Sequence, residues 1–350
     1  MESLRIATRG SALALAQSRW VAERLQAAWP DRPLDVQLLV VRTQGDQVQD
    51  RPVAQIGQGV FVTEVRAALL DGRADLAVHS YKDLPTATTE GLEVLALPPR
   101  EDARDALVSR DGRVLQYLPE GSRIGTGSGR RGGQLLRRRP DLEILPLRGN
   151  VDSRLARLDS GDLDGIVLAA AGLRRLGLTE RITECFDVDQ MIPAPAQGAL
   201  ALEGRAGDAR VRDLVAPLND EATAFAVLAE RSCLAALGGG CSVPIGIHAA
   251  VEAERMRILG VVLTPDGTRT ARMQWSGPLR AAREIGETLA ELLVSIGADR
   301  IVRGEPMPRT VRFSTRPPKD FVDLEEDLPP LPLRPGDAAG RRSNGNGKGK

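Results

Sequence analysis

The sequence predicts an α/β protein of two lobes, followed by a small α+β domain and a disordered tail. Short apolar runs alternate with segments of helical spacing through residues 4–98, and the alternation begins again near residue 105. After residue 220 the pattern changes to a long helix and several consecutive alternating strands. Alternation of strand with helix is typical of a parallel-rich sheet, whereas consecutive alternating strands indicate an antiparallel one.

The first lobe is predicted over residues 1–98, with residues 199–217 returning to it. The returning segment, GALALEGR and a helix from Asp208, is too short for a domain, so we expect it to complete the first sheet. Apolar periodicity of 2 or 3.6 residues separates strands from helices. In order, the elements are LRIAT, a helix over Ser11–Trp29, VQLLVV, a helix over Val62–Leu70, DLAVHS and LEVLAL.

The second lobe is predicted over residues 104–193. A cleft between two such lobes is a common place for a ligand. The elements of the second lobe are DALVS, RIGTGSG, a helix over Arg130–Arg138, LEILPL, a helix over Val151–Leu158 and DGIVLAAAGL, a strand that passes into a turn at AAAGL.

The third domain is predicted over residues 220–310. Residues 315–350 are rich in Pro, Gly and charge, which predicts a disordered tail because such a segment buries little apolar surface. The domain's elements are a helix over Glu221–Leu237, the strands IGIHAAVEA, MRILGVVL and TARMQW with a turn at Pro265–Gly267, and a helix over Ala281–Ile296.

Composition excludes several classes of partner. Lys plus Arg equals Asp plus Glu at 47 each, and aromatic residues make up 3%, which argues against a nucleic-acid surface. No apolar stretch approaches the ~20 residues of a membrane span, and MESLRIATRG holds no signal-like apolar region. The three cysteines show no metal-type spacing and suit a reducing compartment. We therefore expect a cytoplasmic protein with no metal and no nucleic-acid or membrane partner.

The segment IGTGSGRRGGQLL runs from a strand through a glycine-rich turn into a helix. Arg130 and Arg131 in the first helical turn oppose the helix dipole, so they suit a site where a carboxylate or phosphate binds. The segment lacks the Lys-Ser/Thr of a P-loop. Solvated arginines on a tight connection are the alternative; the dipole argument favours an anion site.

Further arginines fall where predicted strands end. They are Arg9, Arg148, Arg154 and Arg175. One such arginine would mean little, but several in one cleft suit a substrate with many carboxylates, since each guanidinium can pair in a bidentate way.

Lys82 is the only lysine among the first 318 residues, and it neighbours Asp83 where DLAVHS opens into a loop. A coding bias toward arginine and a solvated Lys–Asp pair are the alternatives, and His79 nearby suits a structural role. The position favours a functional carboxylate that stabilises a developing cation or moves protons.

Cys241 follows three glycines in LAALGGGCSVPIGIH. The glycines let the backbone bend freely and leave a thiol accessible as a nucleophile or an attachment point. A glycine-capped helix followed by a buried cysteine explains the segment equally well. Residue chemistry alone leaves both interpretations open.

Taken together, these segments resemble the hydroxymethylbilane synthase (porphobilinogen deaminase) family from about Leu4 to Gly304. The resemblance implies two lobes like those of periplasmic binding proteins, a monomeric cytoplasmic enzyme, and condensation of four porphobilinogen molecules on a dipyrromethane cofactor. The motifs that carry it are RIATRGSALALAQ, GQGVFVTE, ADLAVHSYKDLP, GTGSGRRGGQL, LRGNVDSRL, AAAGLRRLG, PAPAQGAL and GGGCSVPIG.

The resemblance also implies roles for single residues. Asp83 would be the catalytic carboxylate with Lys82 beside it, and Cys241 would hold the cofactor through a thioether. Residues expected to bind the cofactor are Thr126, Ser128, Arg130, Arg131, Arg148 and Arg154. Residues expected to bind the substrate are Arg9, Ser11, Phe61 and Arg175.

The chain departs from the family pattern at Gly127, Gly129 and Gln58, where the family has a serine, a larger residue and often a lysine. Two rival interpretations come from other classes: a non-catalytic anion-binding protein, and a regulatory module on a solute-binding fold. The first gives Cys241 no role, and the second requires a DNA-binding helix pair and a basic surface that the sequence lacks.

Overall fold

The structure is a computed structural model that describes residues 2–43, 62–238 and 244–305. Its strands are β1 Glu2–Arg9, β2 Leu34–Val41, β3 Leu76–Ser80, β4 Leu92–Ala96, β5 Asp105–Ser109, β6 Arg123–Gly125, β7 Glu143–Leu145, β8 Gly165–Ala169, β9 Glu184–Cys185, β10 Leu200–Arg205, β11 Ile245–Glu252, β12 Arg255–Leu263 and β13 Thr270–Pro278. Its α-helices are α1 Ala12–Ala28, α2 Thr63–Leu70, α3 Gly129–Arg138, α4 Val151–Asp159, α5 Ala170–Arg175, α6 Ala209–Val215, α7 Glu221–Ala236, α8 Ala282–Ser295 and α9 Ala298–Arg303.

The first sheet has the order β2-β1-β3-β10-β4. Strands β1, β2 and β3 run parallel, and β10 pairs antiparallel with β3 and β4. Helix α1 packs on this sheet because its apolar residues Val21 and Leu25 meet Leu4, Ile6 and Leu76 in one buried cluster. The chain thus returns to the first sheet with β10, as the sequence predicted.

The second sheet has the order β7-β6-β8-β5-β9 and repeats this plan. Strands β6, β7 and β8 run parallel, while β5 is antiparallel to β8 and β9. Fully buried residues fill both of its faces, among them Phe186, Leu107 and Leu158. In both sheets the carboxyl ends of the parallel strands lie at one edge, where α/β proteins bind ligands.

The third sheet is the antiparallel meander β11-β12-β13. The predicted fold class, two α/β lobes and a small α+β region, is therefore confirmed. The domain bounds 1–98 with 199–217, 104–193 and 220–310 remain predictions, and the tail predicted at 315–350 lies outside the described residues. Within the ranges the structure covers, no helix has both the length and the apolar character to cross a bilayer.

One predicted element is wrong in part. The segment DGIVLAAAGL was expected to be a strand that passes into a turn at AAAGL, but β8 ends at Ala169 and helix α5 begins at Ala170. Strand β5 pairs with β8 only from Asp105 to Ser109, so the ladder stops opposite Ala169. The alanines beyond it favour helix.

Helices α7 and α8 pack closely in the third region. A Cβ atom added to Gly286 of α8 would lie 2.1 Å from the carbonyl oxygen of Ala229 on α7. A glycine in mid-helix costs about 1 kcal/mol relative to alanine, so the close approach of the backbones explains its presence.

Gly286→Ala is expected to lower the free energy of unfolding by about 1–3 kcal/mol, because the two backbones must separate to admit the methyl group. Urea unfolding followed by circular dichroism measures the change. Glu287→Ala, on the exposed side of the same helix, is the control and should stay within about 0.5 kcal/mol of the parent. A Gly286→Ala protein as stable as its parent would contradict the packing argument.

Candidate active site

The predicted site residues lie just beyond, or at the end of, the parallel strands. Ser11 follows Arg9 at the end of β1, Lys82 and Asp83 follow β3, and Thr126, Ser128, Arg130 and Arg131 follow β6. Arg148 and Arg154 follow β7, and Arg175 ends the short helix after β8. Cys241, Phe61 and Gln58 lie outside the described residues.

Lys82 and Asp83 form a single 3₁₀ turn, Tyr81–Asp83, directly after β3. Lys82 is exposed by surface area, yet its ammonium reaches inward and donates a hydrogen bond to Gln197 Oε1 at 3.3 Å. Loss of hydration there, followed by repulsion from Arg131, lowers the pKa of Lys82 to about 8, although Asp83 and Asp105 work against the shift.

Arg231 of α7 holds this turn from the third region. Its guanidinium donates to the carbonyl oxygens of Tyr81, Leu84 and Pro85 and lies over the Tyr81 ring, 4.3 Å from the centroid. A cation over an aromatic face is attracted to the ring quadrupole. The backbone on both sides of Asp83 is thereby fixed to the helix that leads toward Cys241.

Arg130 and Arg131 share one carboxylate, Asp105 of β5, which is completely buried. Arg130 Nη1 donates to Asp105 Oδ2 at 2.6 Å and to the Ile192 carbonyl at 2.7 Å. Arg131 Nε donates to Asp105 Oδ1 at 2.9 Å. Because these arginines oppose the helix dipole, the sequence predicted an anion beside them. Asp105 of the chain itself is such an anion.

The pKa of Asp105 records how strongly this group is held as an anion. Burial works to raise the pKa, but the attraction of Arg130 and Arg131 outweighs it and holds the pKa of Asp105 well below its ordinary value. For Arg130 burial prevails, and its pKa is lowered despite the attraction of Asp105. Asp105 is thus charged at every physiological pH.

Arg154 and Arg175 are partly buried cations that contact carbonyl oxygens. Arg154 Nε donates to the Gly149 carbonyl oxygen at 2.8 Å, and Arg175 Nη2 donates to the Gly198 carbonyl oxygen at 2.7 Å. Burial lowers the pKa of each to about 10, and repulsion from Arg131 adds to the effect at Arg154. Within the described residues neither forms an ion pair within 4.0 Å, so a ligand carboxylate beside either would be stabilising.

The predicted hydroxyl residues lie at helix starts. Ser11 caps α1 by accepting from Ala14 N, and Ser128 caps α3 by accepting from Arg131 N. Thr126, which is buried, accepts from Ser128 N at 3.2 Å. These hydroxyl oxygens serve the backbone, while each O–H remains a potential donor to a ligand.

A pocket opens beside Asp83 in the first lobe. Its polar lining comprises Arg9, Gln17, His79, Ser80 and Asp83. His79 Nε2 lies 3.2 Å from Glu203 Oε2, and Glu203 also pairs with Arg66, so the histidine lies against a buried ion pair. Its location agrees with the structural role favoured for this histidine.

The site carries an excess of positive charge. Lys82, Arg130, Arg131, Arg148 and Arg154 lie in one neighbourhood with two carboxylates, Asp83 and Asp105. Such a surplus of positive charge fits a compound with several carboxylates. Within residues 2–43, 62–238 and 244–305, no group of His, Cys, Asp and Glu side chains could hold a metal ion.

Sequence patterns missed three residues of this site. Asp105 is read as the first residue of an apolar strand, Gln197 as part of a connection, and Arg231 as a polar position of a helix. The one available signal was the charge of Asp105, since an unpaired carboxylate at the head of a buried strand requires a cationic partner. Nothing in the local pattern distinguished the other two.

Fold and site together define a two-lobed α/β protein with a cation-rich site at its strand ends and a small third domain. Residues 4–213 match the family model described as porphobilinogen deaminase, dipyrromethane cofactor binding domain, and residues 224–295 match the model of the porphobilinogen deaminase C-terminal domain. The chain belongs to the porphobilinogen deaminase family.

Curated relatives agree with this assignment. Porphobilinogen deaminase of Syntrophotalea carbinolica is 50% identical over 301 residues, covering 86% of this chain and 95% of the relative. Porphobilinogen deaminase of Nocardia farcinica is 46% identical over 339 residues, covering 93% of this chain and 96% of the relative.

Solved structures similar to this chain include periplasmic binding proteins. A nutrient-binding protein from Burkholderia cenocepacia bound to methionine has a TM-score of 0.38 and 14% identity, covering 61% of this chain and 90% of its own. A periplasmic sulfonate-binding protein from Methylobacillus flagellatus has a TM-score of 0.36 and 14% identity, covering 66% and 67%.

Asp105→Asn is expected to lower the free energy of unfolding by about 3 kcal/mol at pH 7, because two buried guanidinium groups lose their counter-charge. Urea unfolding measures the loss. Asp159→Asn breaks an exposed pair with Arg181 and is the control, with an expected cost below about 1 kcal/mol.

The pH dependence tests the same charge. Because the pKa of Asp105 is lowered on folding, its contribution is complete above its unfolded value of about 3.9 and is lost as the pH falls further. The difference in stability between parent and Asp105→Asn should therefore narrow below about pH 4. Equal stability of the two proteins at pH 7 would contradict the assigned role.

Proposed function

We propose that Asp83 is the catalytic carboxylate with which this chain joins four porphobilinogen molecules head to tail, releasing ammonia, into the linear tetrapyrrole hydroxymethylbilane. The observation that carries the proposal is the place of Asp83. It lies at the carboxyl end of β3, on the wall of a pocket with Arg9 and next to Lys82.

The substrate is a pyrrole that bears an acetate, a propionate and an aminomethyl group, so it presents two carboxylates to the protein. Arg9, Ser11 and Arg175 are proposed to bind those carboxylates, and Phe61, which lies outside the described residues, is proposed to pack on the pyrrole ring. Arg175 supports this role because it is a partly buried cation whose guanidinium donates to the Gly198 carbonyl oxygen and, among the described residues, forms no ion pair within 4.0 Å. A guanidinium in such a place gains most from a charged ligand.

Asp83 acts on the charge that develops when ammonia leaves. The aminomethyl group reacts in its protonated form: the bond between the methylene carbon and the ammonium nitrogen breaks, the electron pair leaves with neutral ammonia, and the positive charge spreads to the pyrrole nitrogen. A carboxylate held beside that nitrogen stabilises the charge more in the transition state than in the ground state. Arg231 fixes the Tyr81–Pro85 backbone, so the Asp83 carboxylate keeps its position while the substrate reacts.

The site's cations fit the dipyrromethane cofactor of this family, which carries acetate and propionate groups. When bound, this group would supply the primer on which the four substrate units are added. Thr126, Ser128, Arg130, Arg131, Arg148 and Arg154 are proposed to hold its carboxylates. Because Arg130 and Arg131 already contact Asp105, their contribution is mainly a positive potential, whereas Arg154 is placed for direct pairing.

Cys241 is proposed to anchor the cofactor through a thioether. It falls within the residues matched by the C-terminal family model and after α7, the helix that holds the Asp83 loop. Cys233 of α7 is an unsuitable anchor, since burial raises the pKa of its thiol far above the ordinary value and suppresses the thiolate. We further propose that the protein acts as a monomer in the cytoplasm.

Asp83→Ala should lower kcat by at least ~100-fold while the far-ultraviolet circular dichroism stays that of the parent, because a carboxylate aimed at developing charge is lost. Release of ammonia and formation of hydroxymethylbilane are the readouts. Asp71→Ala removes an exposed carboxylate of the same lobe and should leave kcat unchanged. Near-normal turnover in Asp83→Ala would rule out the proposed role.

The intact mass of the purified protein tests the anchor. The parent and Cys185→Ser should carry the added mass of two linked pyrrole units and give a pyrrole colour reaction, whereas Cys241→Ser should carry neither. If the parent is unmodified, porphobilinogen is supplied and the mass is measured again. Failure to form an adduct even then would reject catalysis in favour of a protein that only binds anions.

A further inference from the structure

Gln197 is a completely buried amide on the connection between β9 and β10. Its Nε2 donates to the Ala103 carbonyl at 2.8 Å and to Asp105 Oδ1 at 2.9 Å. The backbone carbonyl oxygen of Gln197 accepts a hydrogen bond from Arg100 Nε at 2.8 Å. Gln197 thus connects its own segment, which crosses between the lobes, to the other crossing segment, which contains Arg100 and Ala103.

The other end of this amide meets two cations from different lobes. Oε1 of Gln197 accepts from Lys82 Nζ at 3.3 Å and from Arg131 Nη2 at 3.4 Å. The orientation of the amide follows from these neighbours, since its NH₂ group points to two acceptors and its oxygen to two donors.

We propose that Gln197 is a positioning residue, whose neutral oxygen holds the Lys82 ammonium beside the Arg131 guanidinium without cancelling the charge of either. The inference rests on the proposed function only in taking the ligand to be a polycarboxylate. An amide orients both cations by hydrogen bonding, whereas a carboxylate at the same place would also neutralise them. The surplus of positive charge therefore stays available to the ligand.

The charges around Lys82 make this arrangement measurable. Arg131 and Arg130 disfavour its charged form, Asp83 and Asp105 favour it, and burial disfavours it most. Gln197→Glu places a further carboxylate next to Nζ and nearly keeps the shape of the side chain, but it also replaces the donor to Asp105 with an oxygen. Gln197→Met keeps the length and removes both the acceptor that faces Lys82 and the donor to Asp105.

The experiment is competitive acetylation of the purified full-length protein across a pH range, read peptide by peptide by mass spectrometry. The chain has only Lys82, Lys319, Lys348 and Lys350, so the three other lysines serve as internal references. Gln197→Glu should move the labelling midpoint of Lys82 upward by roughly one to three pH units. Gln197→Met should move it downward, because the charged form loses a hydrogen-bond acceptor.

Gln190→Glu is the matched control, because Gln190 is an exposed amide that accepts from Arg138 and the change in net charge is the same. It should leave the Lys82 midpoint in place. In parallel, Gln197→Glu should raise KM for porphobilinogen more than it lowers kcat, since the added negative charge weakens binding of carboxylates.

Unchanged Lys82 midpoints in folded Gln197→Glu and Gln197→Met would overturn the inference, even if turnover fell, because the effect would then be structural. A parent protein that labels as expected but makes no tetrapyrrole would sink the proposed function and leave the role of Gln197 standing. The two failures are therefore distinguishable.

Discussion

One buried carboxylate between two arginines determines the electrostatics of the site. Asp105 is inaccessible to solvent, and it pairs with Arg130 at 2.6 Å and Arg131 at 2.8 Å. Removing two guanidinium groups from water without a counter-charge would be prohibitive, so α3 can begin with arginines only because β5 begins with Asp105. One negative charge between two guanidinium groups leaves the three side chains with a net positive charge.

A second buried carboxylate, Glu230 of α7, organises the region behind the site. It accepts two hydrogen bonds from Arg100 and one each from the backbone N–H groups of Ala196 and Ala249. These donors come from both crossings between the lobes and from β11 of the third sheet. Glu230 therefore connects all three regions. Arg231, the next residue of the same helix, holds the Asp83 loop through its hydrogen bonds to the backbone.

The sequence predicted the elements and the strand-end residues because both depend on local pattern. Apolar periodicity locates β3, and the carboxyl end of a parallel strand is a general place for function, so Lys82 and Asp83 could be identified from position and chemistry. Asp105, Gln197 and Arg231 could not, because their partners lie far along the chain: Asp105 is 25 residues from Arg130, Gln197 is 115 from Lys82 and Arg231 is 150 from Tyr81. The helix at Ala170 was missed because the end of β8 depends on the length of its partner β5.

The dipole argument for α3 predicted a bound anion beside Arg130 and Arg131; the structure shows that Asp105 of the chain itself pairs with both, and a ligand anion there remains a prediction. Lys82 and Arg154 still have lowered pKa values beside that pair of arginines. A lowered pKa means that the charged form is held at a cost, which a ligand carboxylate would remove by raising the pKa again. By linkage, a carboxylate bound beside Lys82 would be held more strongly at a pH where Lys82 is charged than at a pH where it is neutral. Gln197 as a neutral acceptor preserves this coupling, because a carboxylate in its place would satisfy Lys82 from within the protein.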